Sequence, residues 1–427
     1  MMDWRRLLSA NRMAGDEPEP VDPARSPFQK DFDRIVFSSA FRRLQDKTQA
    51  HPKPGNDYVR TRLTHSLEVA SVGRSLGAGV GQVIAGRRRL PSGLGAAEFG
   101  HIVSAACLAH DIGNPPFGHR GEDLIRQWFA ESRRGKALTA TLSGGEKRDM
   151  LRFEGNAQGF RILTRLQNWR DRGGLRLTAA TLGTFTKYPR FSDSEGDDTG
   201  RDAGAKKFGI MRREVDIFRD LAAELGLTRV SEGRWLRHPL AYLVEAADDI
   251  CYLIVDLEDG FKLGKLDYRT AEALLMPVVG RTRRLGEIDE APRRIAYLRA
   301  KAIGQLVEQA IRVFLDAEPE ILAGGFRRAL LDEVPARTAL REIGEVTARE
   351  VFVPDIDYDR RFDADRVIAW QMNRAIEGAA PGLSAYERAL AATDHVSGMT
   401  DGYALQQFRE HAGMIGNAAA WNDSMGG

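Results

Sequence analysis

One stretch limits what this chain can become more than any other: His110-Asp111-Ile112-Gly113-Asn114-Pro115-Pro116-Phe117-Gly118-His119-Arg120-Gly121-Glu122. It gathers five ionisable side chains, two prolines and three glycines between two helical runs. The run before it, Phe99 to Ala109, is apolar almost all round, as a helix buried in a core is. His110 and Asp111 are therefore expected at the end of a buried helix. Gly113 is expected to stop that helix through a positive φ, and Pro115-Pro116 forbid its continuation. Adjacent helical residues point about 100° apart, so an ion lying between two such directions can take both as ligands. An imidazole with a carboxylate suits a borderline to hard ion, such as Mn²⁺, Fe, Co, Mg²⁺ or Zn²⁺, with positions left for water. A His-Asp dipeptide alone is weak evidence. Its setting, at a forced break after a buried helix, is what makes it a site rather than a linker.

Lys and Arg number 62 against 60 Asp and Glu, a formal charge of +2, so no overall polybasic signal for nucleic acid exists. Cys107 and Cys251 both fall in apolar helical runs and form no disulfide framework, which fits a reducing compartment. The first residues, Met1 to Leu8, lack the apolar core of a signal peptide, and no stretch approaches about 18 apolar residues. The expectation is a cytoplasmic protein with no membrane segment.

Along the chain, residues 9–27 are proline-rich with mixed charge and read as an extended arm. Phe28 to Leu44 predicts two short helices, and Pro52, Pro54 and Gly55 break the pattern that follows. From Thr61 to about Ala85, Leu63, Leu67, Val69, Val72, Leu76 and Val80 have helical spacing, and His65 lies on that helix. A lone histidine there is more often packed or solvated than a ligand. Glu122 to Arg134 predicts an amphipathic helix whose opening turn holds His119 and Glu122 at i and i+3, on one face. Residues 135–149 and 190–205, rich in Gly, Ser, Asp, Lys and Arg, read as mobile loops, the second strongly acidic. Helices are expected over Phe153 to Trp169 and Leu175 to Leu182.

Pro239 to Phe261 is the second informative helix. Leu243, Ala247, Ile250, Ile254, Leu257 and Phe261 form its core stripe, and Glu245, Asp248, Asp249, Tyr252, Asp256 and Asp259 its other face. A solvated acidic face is the plain explanation. Against it, so many carboxylates on one strip repel unless cations or donors offset them. Further amphipathic segments follow, roughly 268–277, 288–316, 336–352, 362–378 and 383–392. No run of alternating strands and no internal repeat is evident, so the fold class expected is all-α.

Taken together, these residues resemble the HD-domain metal-dependent phosphohydrolases, and more closely the deoxyguanosinetriphosphate triphosphohydrolase-like proteins. The likeness is carried by Arg42 to Gln49, Arg62-Leu63-Thr64-His65, the central stretch, Glu154-Gly155-Asn156-Ala157-Gln158, Lys207-Phe208-Gly209, Arg237 to Ile250 and Gly398-Met399-Thr400-Asp401. It implies an HD-domain helical fold with additional C-terminal helices: an N-terminal arm over 1–60, a metal phosphohydrolase core over 61–265 and a C-terminal helical region over 266–427. It implies one divalent metal ion, Mn²⁺, Mg²⁺ or similar, on His65, His110, Asp111 and Asp248. Asp248 is preferred to Asp249 because Tyr252 and Asp256 follow it at i+4 and i+8, as the family pattern has them. His119 and Glu122 match the family's catalytic pair. Gln49, Arg62, Asn156, Lys187, Lys207, Tyr252 and Asp256 fall at or beside its substrate-binding positions. Position 402 is glycine where many relatives carry a basic residue. The likeness further implies a homo-oligomer, and leaves open single-stranded DNA or an activating nucleotide as a partner.

The activity implied is hydrolysis of deoxynucleoside triphosphates, dGTP favoured, to deoxynucleoside and inorganic triphosphate. The residue types suit that chemistry. Attack at the α-phosphorus needs a metal to polarise an oxygen and acidify water, cations to offset the phosphates, and a proton for the departing 5′-oxygen, which an imidazole can supply. Two rivals stand beside it: an HD phosphohydrolase acting on another nucleotide phosphoester, and a nucleotide-sensing or single-stranded DNA-binding protein that has lost turnover.

Overall fold

A computed structural model describes residues 1–13, 22, 24–49, 60–88, 90–91, 93–168, 173–194, 202–351 and 363–414, and all structural statements concern those residues. The fold is all-α. Its one sheet among the described residues is a two-stranded antiparallel ribbon, Arg229–Ser231 with Arg234–Trp235. No helix is long and apolar enough to cross a membrane.

At the centre, the helix Arg62–Arg87 lies against the helix Ala96–Ala109. The first is started by Thr61 and Thr64, whose hydroxyls each accept from the other's backbone N–H. Three glycines one turn apart, Gly73, Gly77 and Gly81, make the contact. A Cβ on Gly77 would lie 2.5 Å from the Phe99 carbonyl oxygen, and one on Gly81 2.6 Å from that of Ala96. A Cβ on Gly73 would lie 2.4 Å from Cys107 Sγ. The two backbones therefore nearly touch, which no side chain would permit. His65 precedes this glycine row by two further steps of four residues, so the packing that seats the glycines also aims His65 along the partner helix towards its end, where His110 stands.

The large core wraps this pair with the helices Ala179–Phe185, Ala241–Lys262, Tyr268–Val279 and Ala291–Ala323. A second core joins the helix Gly118–Glu131, through Phe117, Leu124, Ile125, Trp128 and Phe129, to Val367, Ile368, Met372, Tyr386 and Leu390 of the C-terminal helices Ala364–Glu377 and Ala385–Ser397.

Several expectations are corrected. Residues 135–149 are not a loop: Arg133–Thr139 and Gly144–Leu151 are helices, capped by Ser132 and by the Ser143–Glu146 box. Local capping outweighs a glycine-rich composition there. The helix expected from Phe153 begins at Gly155, runs to Arg161 and loosens into a π turn over Ile162–Leu166. That expected over 175–182 runs from Ala179 to Phe185, with Thr178 as its cap. Gly113 has no positive φ. It is required for closeness, because a Cβ would sit 2.0 Å from the Gly155 carbonyl oxygen and 2.2 Å from the Gly159 nitrogen. Much of the acidic 190–205 segment and of 50–59 lies outside the described residues, while Arg190 and Ser192 at the start of the former are buried.

Gly77→Ala is expected to destabilise the chain by about 3 kcal/mol, the cost of forcing a rigid backbone contact apart. Gly86→Ala, on the same helix with open space around it, is expected to cost nothing or to stabilise by up to about 1 kcal/mol. Urea titration of both variants checks this; equal midpoints would mean that the helices are not held at backbone distance.

Candidate active site

His65, His110 and Asp111 bring one ligand atom each to within 4.8 Å of one another. The two imidazoles stand 5.3 Å apart between ring centres. Asp248, from the middle of the Ala241–Lys262 helix, faces both: its Oδ1 is 3.2 Å from His65 Nε2 and 3.4 Å from His110 Nε2. His110 Nδ1 donates to the Cys107 carbonyl at 2.7 Å, which leaves the Nε2 lone pair pointing into the cluster. Two imidazole nitrogens and two carboxylates in one buried spot are a donor set that fits a divalent ion.

Each carboxylate has a cation of its own. Arg62 donates to Asp111 Oδ2 at 2.7 Å, and Lys187 to Asp248 Oδ2 at 2.7 Å. Burial alone would raise both carboxyl pKa values. The adjacent guanidinium, ammonium and imidazole groups outweigh it and hold both well below the usual range. Burial likewise opposes the Lys187 charge, but Asp248 more than restores it. Asp249 behaves oppositely, its carboxyl pushed up to about 8 by burial and by Glu245 and Asp248 beside it. The acidic helix face is thus not a solvated strip: Glu245 pairs with Arg237, Asp248 with Lys187 and Asp259 with Arg60.

The turn between His110 and His119 is clamped from both ends of the chain. Buried Lys47 donates to the Asn114 carbonyl at 2.5 Å and to the Ser397 carbonyl at 2.7 Å, and burial brings its pKa down to about 7. Asp401 accepts from the Phe117 backbone N–H and the Thr48 backbone N–H, each at 3.0 Å. Phe117 holds φ of 64°, uncommon for a residue with a side chain, at the start of the helix that carries His119. On that helix His119 Nδ1 meets Glu122 Oε2 at 3.0 Å, with the imidazole 77% exposed and the carboxylate 2%. Glu122 also accepts from the Gly155 N–H at 2.7 Å. Burial works against the Glu122 anion, but His119, Lys207 and that amide hold its pKa below the usual value.

The remaining expected residues are spread around this centre. Lys207 pairs with Glu154 at 3.1 Å. Asn156 is half-buried next to Gly155. Gln49 is half-buried with its Oε1 enclosed and unpartnered. Along the Asp248 helix, Tyr252 is 42% exposed, whereas Asp256 is 5% exposed, with burial pushing its carboxyl up to about 7 and Oδ2 left without a hydrogen bond. Gly402 carries no side chain that could reach the site; its N–H donates to Asp46 at 3.2 Å.

The HD domain family model matches residues 62–150. A deoxyguanosinetriphosphate triphosphohydrolase-like protein of Pseudomonas aeruginosa is 41% identical over 96% of this chain and 99% of its own length. One from Synechocystis is 49% identical over 82% of this chain and 80% of its own. The chain belongs to the deoxyguanosinetriphosphate triphosphohydrolase-like family. A protein of Yersinia enterocolitica named deoxyguanosinetriphosphate triphosphohydrolase is 35% identical over 83% of this chain and 78% of its own. The HD match takes in His65, His110, Asp111, His119 and Glu122, and stops short of Lys187, Lys207, Asp248, Tyr252 and Asp256.

Sequence reasoning gave Lys47, Asp401, Arg126 and Glu154 no role. Lys47 and Asp401 lie in stretches that carried the family likeness, but their burial and the distance they span leave no trace in local composition.

If the donor cluster holds the ion, His65→Ala, His110→Ala and Asp111→Ala each lose most bound divalent metal after dialysis, and Asp248→Ala loses more than Asp249→Ala. Metal analysis of the purified variants decides. Undiminished metal in the first three would remove the assignment, and the reverse order in the last pair would mean that Asp249 is the ligand.

Proposed function

We propose that this chain hydrolyses deoxynucleoside triphosphates to a deoxynucleoside and inorganic triphosphate, at a one-metal centre on His65, His110, Asp111 and Asp248, with dGTP the first substrate to test. The observation that carries this is the pairing of Arg62 and Lys187 with the two carboxylates of the donor set. A divalent ion competes for those same carboxylates, and both cations can then turn to phosphate oxygens without leaving the site. When bound, the ion supplies polarisation of a phosphoryl oxygen and a lowered pKa for water.

The chain's own groups do the rest. Arg62 and Lys187 bind and orient the phosphates. His119, accessible to substrate while its Nδ1 is held by buried Glu122, presents Nε2 to the departing 5′-oxygen and hands it a proton. The Glu122 carboxylate stabilises the imidazolium that must exist before that transfer and fixes the tautomer left after it. A substrate carrying a triphosphate chain accounts for two cations at the centre, with Lys207 further out, better than a monoester does.

Sugar choice follows from the Asp248 helix. Residues at i, i+4 and i+8 follow one another about 6 Å apart along its axis, so a substrate phosphate near Asp248 brings the sugar alongside Tyr252 and Asp256. Asp256, buried and with one oxygen unpartnered, can pair with the 3′-hydroxyl. The ring of Tyr252 would then lie against C2′, where an added 2′-hydroxyl must either clash or be buried unpaired, at a cost of about 1 to 3 kcal/mol.

Phosphorus NMR of the reaction is expected to show intact triphosphate; pyrophosphate with a monophosphate would mean that a different bond breaks. His119→Ala should lower turnover about a hundredfold or more while keeping its metal. Tyr252→Ala should narrow the deoxy-to-ribo ratio of kcat/KM by roughly tenfold, and an unchanged ratio would mean that this helix does not read the sugar.

A further inference from the structure

Glu122 is the buried half of the His119 pair, and a second buried carboxylate stands close to it. Glu154 immediately precedes the Gly155–Arg161 helix, and its neighbour Gly155 is the residue whose N–H donates to Glu122 Oε1 at 2.7 Å. One cation lies between the two acids. Arg126 Nη2 donates to Glu154 Oε1 at 3.0 Å and is 3.6 Å from Glu122 Oε2, beyond hydrogen-bond distance. That same Glu122 oxygen is the one 3.0 Å from His119 Nδ1. The rest of the guanidinium is fixed in this attitude: Nε donates to the Phe153 carbonyl at 2.7 Å and Nη1 to Asp123 at 2.9 Å. Lys207 pairs with the other Glu154 oxygen at 3.1 Å.

A glutamate and an arginine four residues on are neighbours on a helix surface and attract each other. Here that closure is incomplete, because Glu154 takes the Arg126 nitrogen first. The difference matters to His119. A hydrogen bond from Arg126 to Glu122 Oε2 would share the oxygen that the imidazole uses and set a second positive charge against the imidazolium. We propose that Glu154 is a positioning residue: by holding Arg126 off Glu122 it reserves that carboxylate for the His119 imidazolium. The charged groups around Glu122 are His119, Asp123 and Arg126 on its own helix, Glu154 before the next helix, and Lys207. Their balance fits this division. Burial and then the nearness of Glu122 push the Glu154 carboxyl above its usual range, against the pull of Lys207 and Arg126. Burial also works against the Glu122 anion, yet His119, Lys207 and the Gly155 amide hold it below. Glu122 is thus the secure anion, and Glu154 needs both cations to keep its charge. The consequence for turnover rests on the reading of His119 as the proton donor; the placement of Arg126 by Glu154 does not.

The test follows the histidine ring signals of the full, ¹⁵N-histidine-labelled chain by NMR against pH, with His119 identified by comparison with H119A, beside the pH dependence of kcat/KM for dGTP. The variants are E154Q, R126Q and E154Q/R126Q. In E154Q the pH at which His119 gives up its proton should fall by about one unit, because Arg126 is released onto Glu122, and the alkaline decline of kcat/KM should move with it. In R126Q both should rise, and in E154Q/R126Q both should return close to wild type. A merely structural role predicts otherwise: kcat/KM reduced at every pH with its alkaline decline unmoved, and His119 shifted in the same direction by both single variants or by neither. Either of those His119 results would overturn the proposal. The Arg126 side chain is partly exposed, so R126Q still decides if E154Q fails to melt as a folded protein. The ring signals need no turnover. His119 moving in opposite directions in the two single variants while kcat/KM does not follow keeps Glu154 as the residue that places Arg126, and removes His119 as the proton donor.

Discussion

The near-contact of two backbones underlies everything chemical in this molecule. Gly77 meets the Phe99 carbonyl and Gly81 that of Ala96, so the Arg62–Arg87 and Ala96–Ala109 helices lie closer than any larger residue would allow. One consequence is alignment: His65, on the continuation of that glycine row, arrives opposite His110, which closes the partner helix. A looser interface would leave the same residues in the same order and no shared donor cluster. The turn after His110 obeys the same rule, because Gly113 lies against the backbone of Gly155 and Gly159.

Charge is balanced in pairs around this frame. Asp111 and Asp248 would be costly to bury alone, and Arg62 and Lys187 offset that cost. Lys47 and Asp401 work on the backbone. They tie the Asn114 and Phe117 positions of the central turn to the segment before residue 50 and to the helix ending at Ser397. The distance between the donor cluster and His119 is therefore set by residues roughly 350 positions apart in the chain.

Much of this was legible in the residues themselves. The all-α fold followed from helical spacing, and the His110-Asp111 end of a buried helix from an apolar run cut by Pro115-Pro116. His119 and Glu122 on one helix face followed from an i, i+3 separation. The expectation of His65 as a ligand, and of Asp248 rather than its neighbour, needed the family likeness, since spacing alone favoured a packed or solvated histidine and made a solvated acidic strip the plain explanation. What escaped notice was of two kinds. The Gly73, Gly77 and Gly81 row was visible as a four-residue repeat, but a glycine in a helix is as readily a flaw as a contact until the partner is known. Lys47, Glu154 and Asp401 act across long separations, and the task of Gly113 is closeness to Gly155 and Gly159 rather than a positive φ, which no single-chain pattern encodes.

The central claim is that His65, His110, Asp111 and Asp248 form one metal centre whose carboxylates Arg62 and Lys187 otherwise occupy. Anomalous diffraction from crystals grown with Mn²⁺ tests it most directly. The account predicts a single strong peak within direct coordination distance of both histidine Nε2 atoms, Asp111 and Asp248, with the Arg62 and Lys187 side chains moved off those carboxylates. A peak coordinated elsewhere, or none at this cluster while both salt bridges persist, would contradict it.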